Sequence, residues 1–347
     1  VYNVAVGRYI KRLEHALYSI VNDIFGEVTI MKGHNAAESG EIMASKWHSF
    51  KDPVAVGLDA SRFDQHVSAD VLQWEHGIYK LFYRGADREE LSKLLAWQLD
   101  NRGFGRTVDG SVKYRVSGCR MSGDMNTGLG NCIIMCAMVH AYMSGRCHYK
   151  LANNGDDCVL FLERGDLHHL DQVPGWFFEM GFDMKVETPV YDLERVEFCQ
   201  THPVWTPTGW VMVRKHMTAQ AKDCVTAIDI SSPQQCKRWY RAVGEAGLSL
   251  ASGIPVQQEF YAKLAAVPAV ASTHPGLESG FFRLAAGMIP RYRPVHDRTR
   301  YSYWLAFGVL PDHQEAIEHE LSKIELSTSP PTGNIHPVLP FSHNIFY

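Results

Sequence analysis

Several familiar signatures are missing from this chain of 347 residues. No Cys-x-x-Cys and no His-x-x-x-His pair occurs, although there are eight cysteines and 17 histidines, which removes the usual spacing of a zinc site. Cys119, Cys132, Cys136, Cys147, Cys158, Cys199, Cys224 and Cys236 are therefore expected to be reduced, mostly buried thiols of an intracellular protein. No apolar stretch reaches the ~20 residues that span a bilayer. The most apolar run, "NCIIMCAMVHAYMSG" at 131–145, contains His140 and suits a buried helix. There is no excess of positive charge either. With 34 Lys and Arg against 38 Asp and Glu the formal charge is −4, so a nucleic-acid partner would have to be met by local basic patches. The chain opens on Val1 without an apolar leader, and is expected to begin partway through a longer protein. No internal repeat is visible.

What is present describes a folded protein: 46% hydrophobic and 21% charged residues, over a length that favours two or three subdomains. Helical periodicity runs through Arg8 to Ile24. "PVAVGLDA" at 53–60 reads as a buried strand, and a helix capped by Ser68 follows. "NRGFGRTVDGSVKYRVSG" at 101–118 reads as a hairpin around Asp109-Gly110. Gly128 to Met143 is apolar nearly all round, and "HYKLA" and "CVLFLE" flank an Asn-Gly turn as a second hairpin. "VEFCQTHPVWTPTGWVMVRK" predicts two further strands. Beyond residue 222 the pattern is mostly helical, and the tail "STSPPTGNIHPVLP" predicts an extended arm.

The second hairpin carries Asp156 and Asp157 side by side. Alone, an acidic turn is an ordinary solvated feature. A second acidic element, "GLDASRFDQH", has Asp59 at the end of the apolar strand and Asp64 five residues later. If both elements share a sheet, Asp59, Asp156 and Asp157 converge, and unpaired they would raise one another's pKa. Two Mg²⁺ ions would remove that repulsion, with hard oxygen ligands, and could hold an in-line displacement at phosphorus. Between the acidic elements lies "SGDMNTGLGN" at 122–131. Gly123, Gly128 and Gly130 allow close backbone approach, while Ser122, Thr127 and Asn131 supply neutral hydrogen-bonding groups that suit a sugar 2′-hydroxyl. The competing reading is a glycine-rich loop with an ordinary helix cap.

The order Asp-x₄-Asp, Ser-Gly-x₃-Thr-x₃-Asn, Gly-Asp-Asp resembles palm motifs A, B and C of viral RNA-directed RNA polymerases. The wording of "SGDMNT", "NNGDD", "GFDMKVE" and "EFCQTHPV" is most similar to the tombusvirus and carmovirus group of positive-strand RNA viruses, from residue 1 to about 220. The resemblance implies an α+β, right-hand polymerase with an antiparallel palm sheet flanked by helices and a mostly helical thumb. Residues 1–52 would be a fingers remnant, 53–200 the palm with a fingers insertion at 84–118, and 201–347 the thumb and a C-terminal arm. It implies template-directed nucleotidyl transfer from NTPs by a two-metal mechanism, with Mg²⁺ or Mn²⁺. RNA template and product and other viral replication proteins would be partners, in the host cytoplasm at membrane-bound sites reached through other segments.

By the same resemblance Asp59 and Asp156 are the principal metal ligands and Asp157 supports them. Asp64 and Asn131 sit at the ribose hydroxyls, helped by Ser122, Gly123 and Thr127. Lys185 matches a motif D lysine that protonates pyrophosphate; a solvated strand-end lysine is the alternative. "EFCQ" at 197–200 matches motif E, placing Phe198 and Cys199 at the primer strand, or simply in the core. Arg120 is expected at a phosphate or in a surface salt bridge, and Lys32 at RNA or in solvent. "IPRYRPVHDRTRYSYW" interleaves Arg291, Arg293, Arg298 and Arg300 with aromatics, as a strand-tracking surface or a helix face with packed Tyr. The family's basic motif F belongs just upstream of "YNVAVGRY" and is not in this sequence. Two other readings remain at this point: a non-catalytic RNA-binding or assembly fragment, and a reverse transcriptase, against which Asn131 and Gly155 argue. A calcium loop at "DASRFD" lacks the required Gly and terminal Glu.

Overall fold

The computed structural model describes residues 1–226, 230, 232–269 and 284–327. The expected arm falls almost wholly outside the described residues. The chain divides into two compact units, Val1–Arg214 with Leu305–Gly308, and Lys215–Trp304 with the residues from Val309 onward.

The first unit is α+β. Its principal sheet has four strands in the order β4-β5-β1-β6, all antiparallel, with β1 at Pro53–Ala60, β4 at Tyr149–Asn154, β5 at Asp157–Glu163 and β6 at Met184–Val186. β1 is the strand expected from its apolar run, and it lies inside the sheet with Val54, Ala55 and Val56 all buried. Helix α6, Thr127–Met143, explains its own composition. Cys132, Met135, Cys136 and Val139 join the core on the sheet. Leu129 and Ile133 join a second core built by Val6, Ile10 and Leu13 of α1, Tyr2–Phe25, and by Leu91 and Leu95 of α5, Gly85–Ala96. A helix buried on two sides needs apolar residues all round.

Helix α4, Ala69–Lys80, starts where expected, with the Val71 N–H donating to Ser68 Oγ at 3.3 Å. Between α5 and α6 the chain runs out and back as a two-stranded ribbon, β2 at Asp100–Thr107 and β3 at Gly110–Ser117. Thr107 pairs with Gly110, so the turn is Val108-Asp109, one residue earlier than the Asp-Gly signal suggested. The last hairpin, β7 at Thr201–Thr206 and β8 at Gly209–Arg214, packs on α2, Ala36–His48. α2 is closed by a capping box of Asn35 and Glu38. "VEFCQ", expected as strand, follows a short 3₁₀ turn at Leu193–Arg195 and forms an irregular corner, in which Phe198 bridges Thr201 and Cys199 and Gln200 take φ 50° and 60°.

The second unit is helical in all its described elements: α8 at His216–Asp223, α9 at Pro233–Ala251, α10 at Gln257–Ala265, and the helices Asp297–Phe307 and Pro311–Lys323, the first of which ends in the other unit. α9 and α10 meet through Gly247, where an added Cβ would stand 2.0 Å from the Tyr261 ring. Among the described residues no helix is long and apolar enough to cross a membrane.

The packing of α2 on β8 turns on Gly40, where a Cβ would lie 2.4 Å from the Trp210 carbonyl oxygen, a backbone atom with no rotamer to yield. Gly40→Ala is expected to cost about 1–3 kcal/mol through overpacking, read as a lowered Tm with the far-UV spectrum kept.

Candidate functional site

The β4–β5 hairpin closes with Asn154 paired to Asp157, leaving Gly155 and Asp156 as a two-residue turn. Gly155 has φ 92°, the left-handed value such a turn asks of its first central residue. The β1–β5 register ends at Leu58 opposite Cys158, so the next residues, Asp59 and Asp157, adjoin at the end of the sheet. On its other side Asp59 stands directly opposite Lys185 of β6. Asp59, Asp156 and Asp157 all keep solvent access. The pKa of Asp156 is raised, first by the protein packed around it and then by the charges of Asp157 and Asp64. That of Asp157 is raised by burial and by Asp59 and Glu197, against a hydrogen bond from Cys199 and the charge of Lys32.

Among the described residues no three Asp, Glu, His or Cys side chains come close enough to hold a metal ion by themselves. The expected convergence of three acids is therefore looser than a closed triad, as carboxylates that repel one another require. Donor chemistry still fits a hard divalent cation, which takes one or two protein carboxylates and completes its shell with other oxygens.

A short distance along, Arg62 adopts φ 49° and opens the short helix α3, Phe63–His66, which turns Asp64 toward the start of α6. There the Asp64 carboxylate accepts from Asn131 Nδ2 at 2.8 Å and from Ser122 Oγ. Three residues far apart in sequence thus meet, as the family resemblance implied. A carboxylate can only accept, so the amide of Asn131 must point its nitrogen that way, and its Oδ1 is left buried without a hydrogen-bond partner. Thr127 does not join this group; its hydroxyl donates to the Met121 carbonyl at 3.0 Å and closes the loop ahead of α6. Gly123 is exposed and has open space beside it.

With this geometry in place, the comparisons with known proteins are decisive about family. The family model described as viral RNA dependent RNA polymerase matches residues 1–329. The chain belongs to that family. It is 45% identical over 337 residues to the RNA-directed RNA polymerase of Tomato bushy stunt virus (strain Cherry), covering 94% of this chain and 40% of that protein. It is 44% identical over 337 residues to that of Cymbidium ringspot virus, with the same two shares, 94% and 40%. Against that of Turnip crinkle virus it is 40% identical over 341 residues, covering 96% of this chain and 43% of the relative. The chain spans less than half the length of these curated relatives.

For several residues of this polymerase-family chain the structure favours a structural place over contact with RNA. Arg120 meets neither phosphate nor solvent: its side chain has no exposed surface and is paired to an equally buried Glu75 of α4. Burial works against the Arg120 charge, but Glu75 more than offsets it and the guanidinium pKa is raised. Glu75 also accepts from Tyr79 Oη at 2.6 Å and Asn126 Nδ2 at 2.7 Å, and Asn126 accepts from Gln98 at 2.7 Å. Gly130 serves this pair and not a ligand, because its Cβ would stand 2.3 Å from Glu75 Oε1. Phe198 is buried core and offers no face to a primer. Half-buried Cys199 lies behind the acidic turn, its thiol pushed up to about 12 by burial and by Asp157, so it remains an S–H donor to that carboxylate. In the second unit, Arg300 is taken up by Glu318 at 2.8 Å and 3.0 Å, and Tyr303 is buried. Arg291 is exposed, and the Arg293 backbone is held by Gln258 at 2.9 Å.

Lys32 has a firmer place than its sequence suggested. Thr29 to Met31 add to the outer edge of β4 through backbone bonds of 2.8 Å to Asn153, and Lys32 then donates to Asn154 Oδ1 at 2.6 Å. Its charge lowers the pKa of both turn acids. No local sequence signal could have found it, since the two partners are 122 residues apart.

Glu75→Gln would leave a buried guanidinium without its counter-charge, and is expected to cost about 3–5 kcal/mol in chemical unfolding. Asp157 supplies a pH test. A carboxyl whose folded pKa is raised destabilises the fold once ionised, and that penalty grows as pH rises from the ordinary carboxylate value of about 4 to the raised one. Asp157→Asn is expected to raise Tm at pH 7, with the gain vanishing in melts below pH 4.

Proposed function

We propose that this chain supplies the palm and the following helical region of an RNA-directed RNA polymerase, which extends RNA by template-directed nucleotidyl transfer from NTPs. The observation that carries the proposal is the end of the antiparallel sheet. Asp59 adjoins Asp157 there, beside an Asp64 carboxylate held by Ser122 and Asn131, in a chain of this family. Residues 1–52 then correspond to part of the fingers, 53–200 to the palm with an insertion at 84–118, and 201–347 to the thumb and arm of a right-hand architecture.

Mg²⁺ or Mn²⁺, held by Asp59 and Asp156 with Asp157 beside them, would lower the pKa of the attacking hydroxyl and balance charge on the leaving pyrophosphate in a two-metal arrangement. The raised pKa values of Asp156 and Asp157 support this, since a divalent cation would relieve them. The chain's own part is placement. The orphaned Oδ1 of Asn131 is an acceptor that a ribose 2′-hydroxyl can satisfy and a deoxyribose cannot. Asp64, fixed from two sides, orients that amide. Lys185, exposed and opposite Asp59, would give a proton to the departing pyrophosphate.

The test is labelled-nucleotide incorporation on an RNA template, with this chain carried in a polymerase of the length of its relatives. Asp156→Asn is expected to lose nearly all incorporation while keeping RNA affinity, and to weaken Mn²⁺ binding followed by water proton relaxation. Asn131→Ala is expected to narrow NTP-over-dNTP preference by about tenfold, the scale of one unmade buried hydrogen bond. Equal incorporation by wild type and Asp156→Asn defeats the proposal.

A further inference from the structure

The β2–β3 ribbon stands out from the first unit with nearly every residue exposed, and no acid-site residue lies on it. Its register sorts the side chains sharply. Arg102 pairs with Arg115, Phe104 with Lys113 and Arg106 with Ser111, and residues directly opposite in an antiparallel pair share a face. One face therefore carries Arg102, Arg106, Lys113 and Arg115 around Phe104, with Asp100 as its one carboxylate. The other face is built of Gly103, Gly105, Val112 and Tyr114. Tyr114 lies over Gly103, where a Cβ would stand 2.0 Å from its ring.

The basic face is unusual in two ways. Like charges directly across a strand pair destabilise it. Asp100 answers Arg115 at 2.7 Å and approaches Arg102 at 3.9 Å, but Arg106 and Lys113 have no carboxylate partner among the described residues. Phe104 is 64% exposed, with Lys113 Nζ 5.8 Å from its ring centroid. An exposed aromatic ringed by cations, in a protein of net charge −4, is complementary to a strand of phosphates and unstacked bases. The ribbon is also anchored. Asn101 Nδ2 donates to the carbonyls of Gln98 and Gly118 at 2.9 Å and of Cys119 at 3.2 Å, joining its base to the loop that carries Ser122.

We propose that this face of the β2–β3 ribbon binds single-stranded RNA, with Arg102, Arg106, Lys113 and Arg115 on phosphates and a base stacked on Phe104. The choice of RNA rests on the polymerase proposal; the face itself rests on register and charge. The exposed positions can be changed without disturbing a core.

The test measures affinity for a fluorescein-labelled single-stranded RNA by anisotropy over a salt series, with this chain and with a form of the length of its relatives. Arg106→Ala with Lys113→Ala is expected to weaken binding about tenfold and to lower the slope of log affinity against log salt by about 1.4, two phosphates' worth for a single strand. Phe104→Ala is expected to weaken binding about 5- to 150-fold, the range for one stacked base. Val112→Thr, on the opposite face, is expected to match wild type. In incorporation assays the basic and aromatic variants would need more RNA for half-maximal rate. Unchanged affinity and salt slope in both variants overturn the proposal, and altered sedimentation alongside them would assign the face to protein contact instead. Incorporation that survives Asp156→Asn would strike the polymerase reading and leave the anisotropy result standing.

Discussion

The buried pair of Glu75 and Arg120 is the interaction on which the site's geometry depends. Taking two charges out of water costs several kcal/mol per ion, and only close geometry with added hydrogen bonds offsets that. Here Tyr79 and Asn126 complete the carboxylate's shell, and Gly130 leaves the space the pair occupies. The pair ties α4 to the loop ahead of α6. The same Arg120 donates its backbone N–H to the Asp64 carbonyl at 2.8 Å, so the side chain that fixes the loop also fixes the residue the loop must meet. Through Asn126 and Gln98 the network reaches the base of the β2–β3 ribbon.

A second constraint acts at the end of the sheet. The register of β1 with β5 and β6 sets Asp59 between an acid and a lysine, and the Gly155 turn sets Asp156 beside Asp157. Such a concentration of like charge is tolerable because neighbours are arranged to moderate it. Lys32 reaches the turn from the outer edge of β4, and the Cys199 thiol donates to Asp157 from behind. The acids thus remain open to a ligand while the polypeptide beneath them is held still.

Much of this was legible from the chain. β1, the acidic hairpin, the Ser68 cap and the start of α6 all follow from local pattern, because turn chemistry and apolar periodicity act over a few residues. The meeting of Asp64, Ser122 and Asn131 was implied by the family resemblance, and the structure joins the three by hydrogen bonds. Less legible were residues whose role depends on what covers them. Arg120 and Arg300 carry the same charge as an RNA-binding arginine, yet each is consumed by a glutamate from another element. Phe198 and Tyr303 look like stacking aromatics and are core. Lys32 looks like a loop lysine and is part of the acidic turn's surroundings.

Sequence by itself determined the elements, their order and the identity of the groups brought to the sheet's end. These depend on backbone propensity and spacing, which are properties of short segments. Tertiary structure alone decided which charges are spent inside the protein and which remain for a partner. That choice is a matter of desolvation and pairing across long separations, and it left the basic face of the ribbon exposed while burying an arginine only a few residues beyond it.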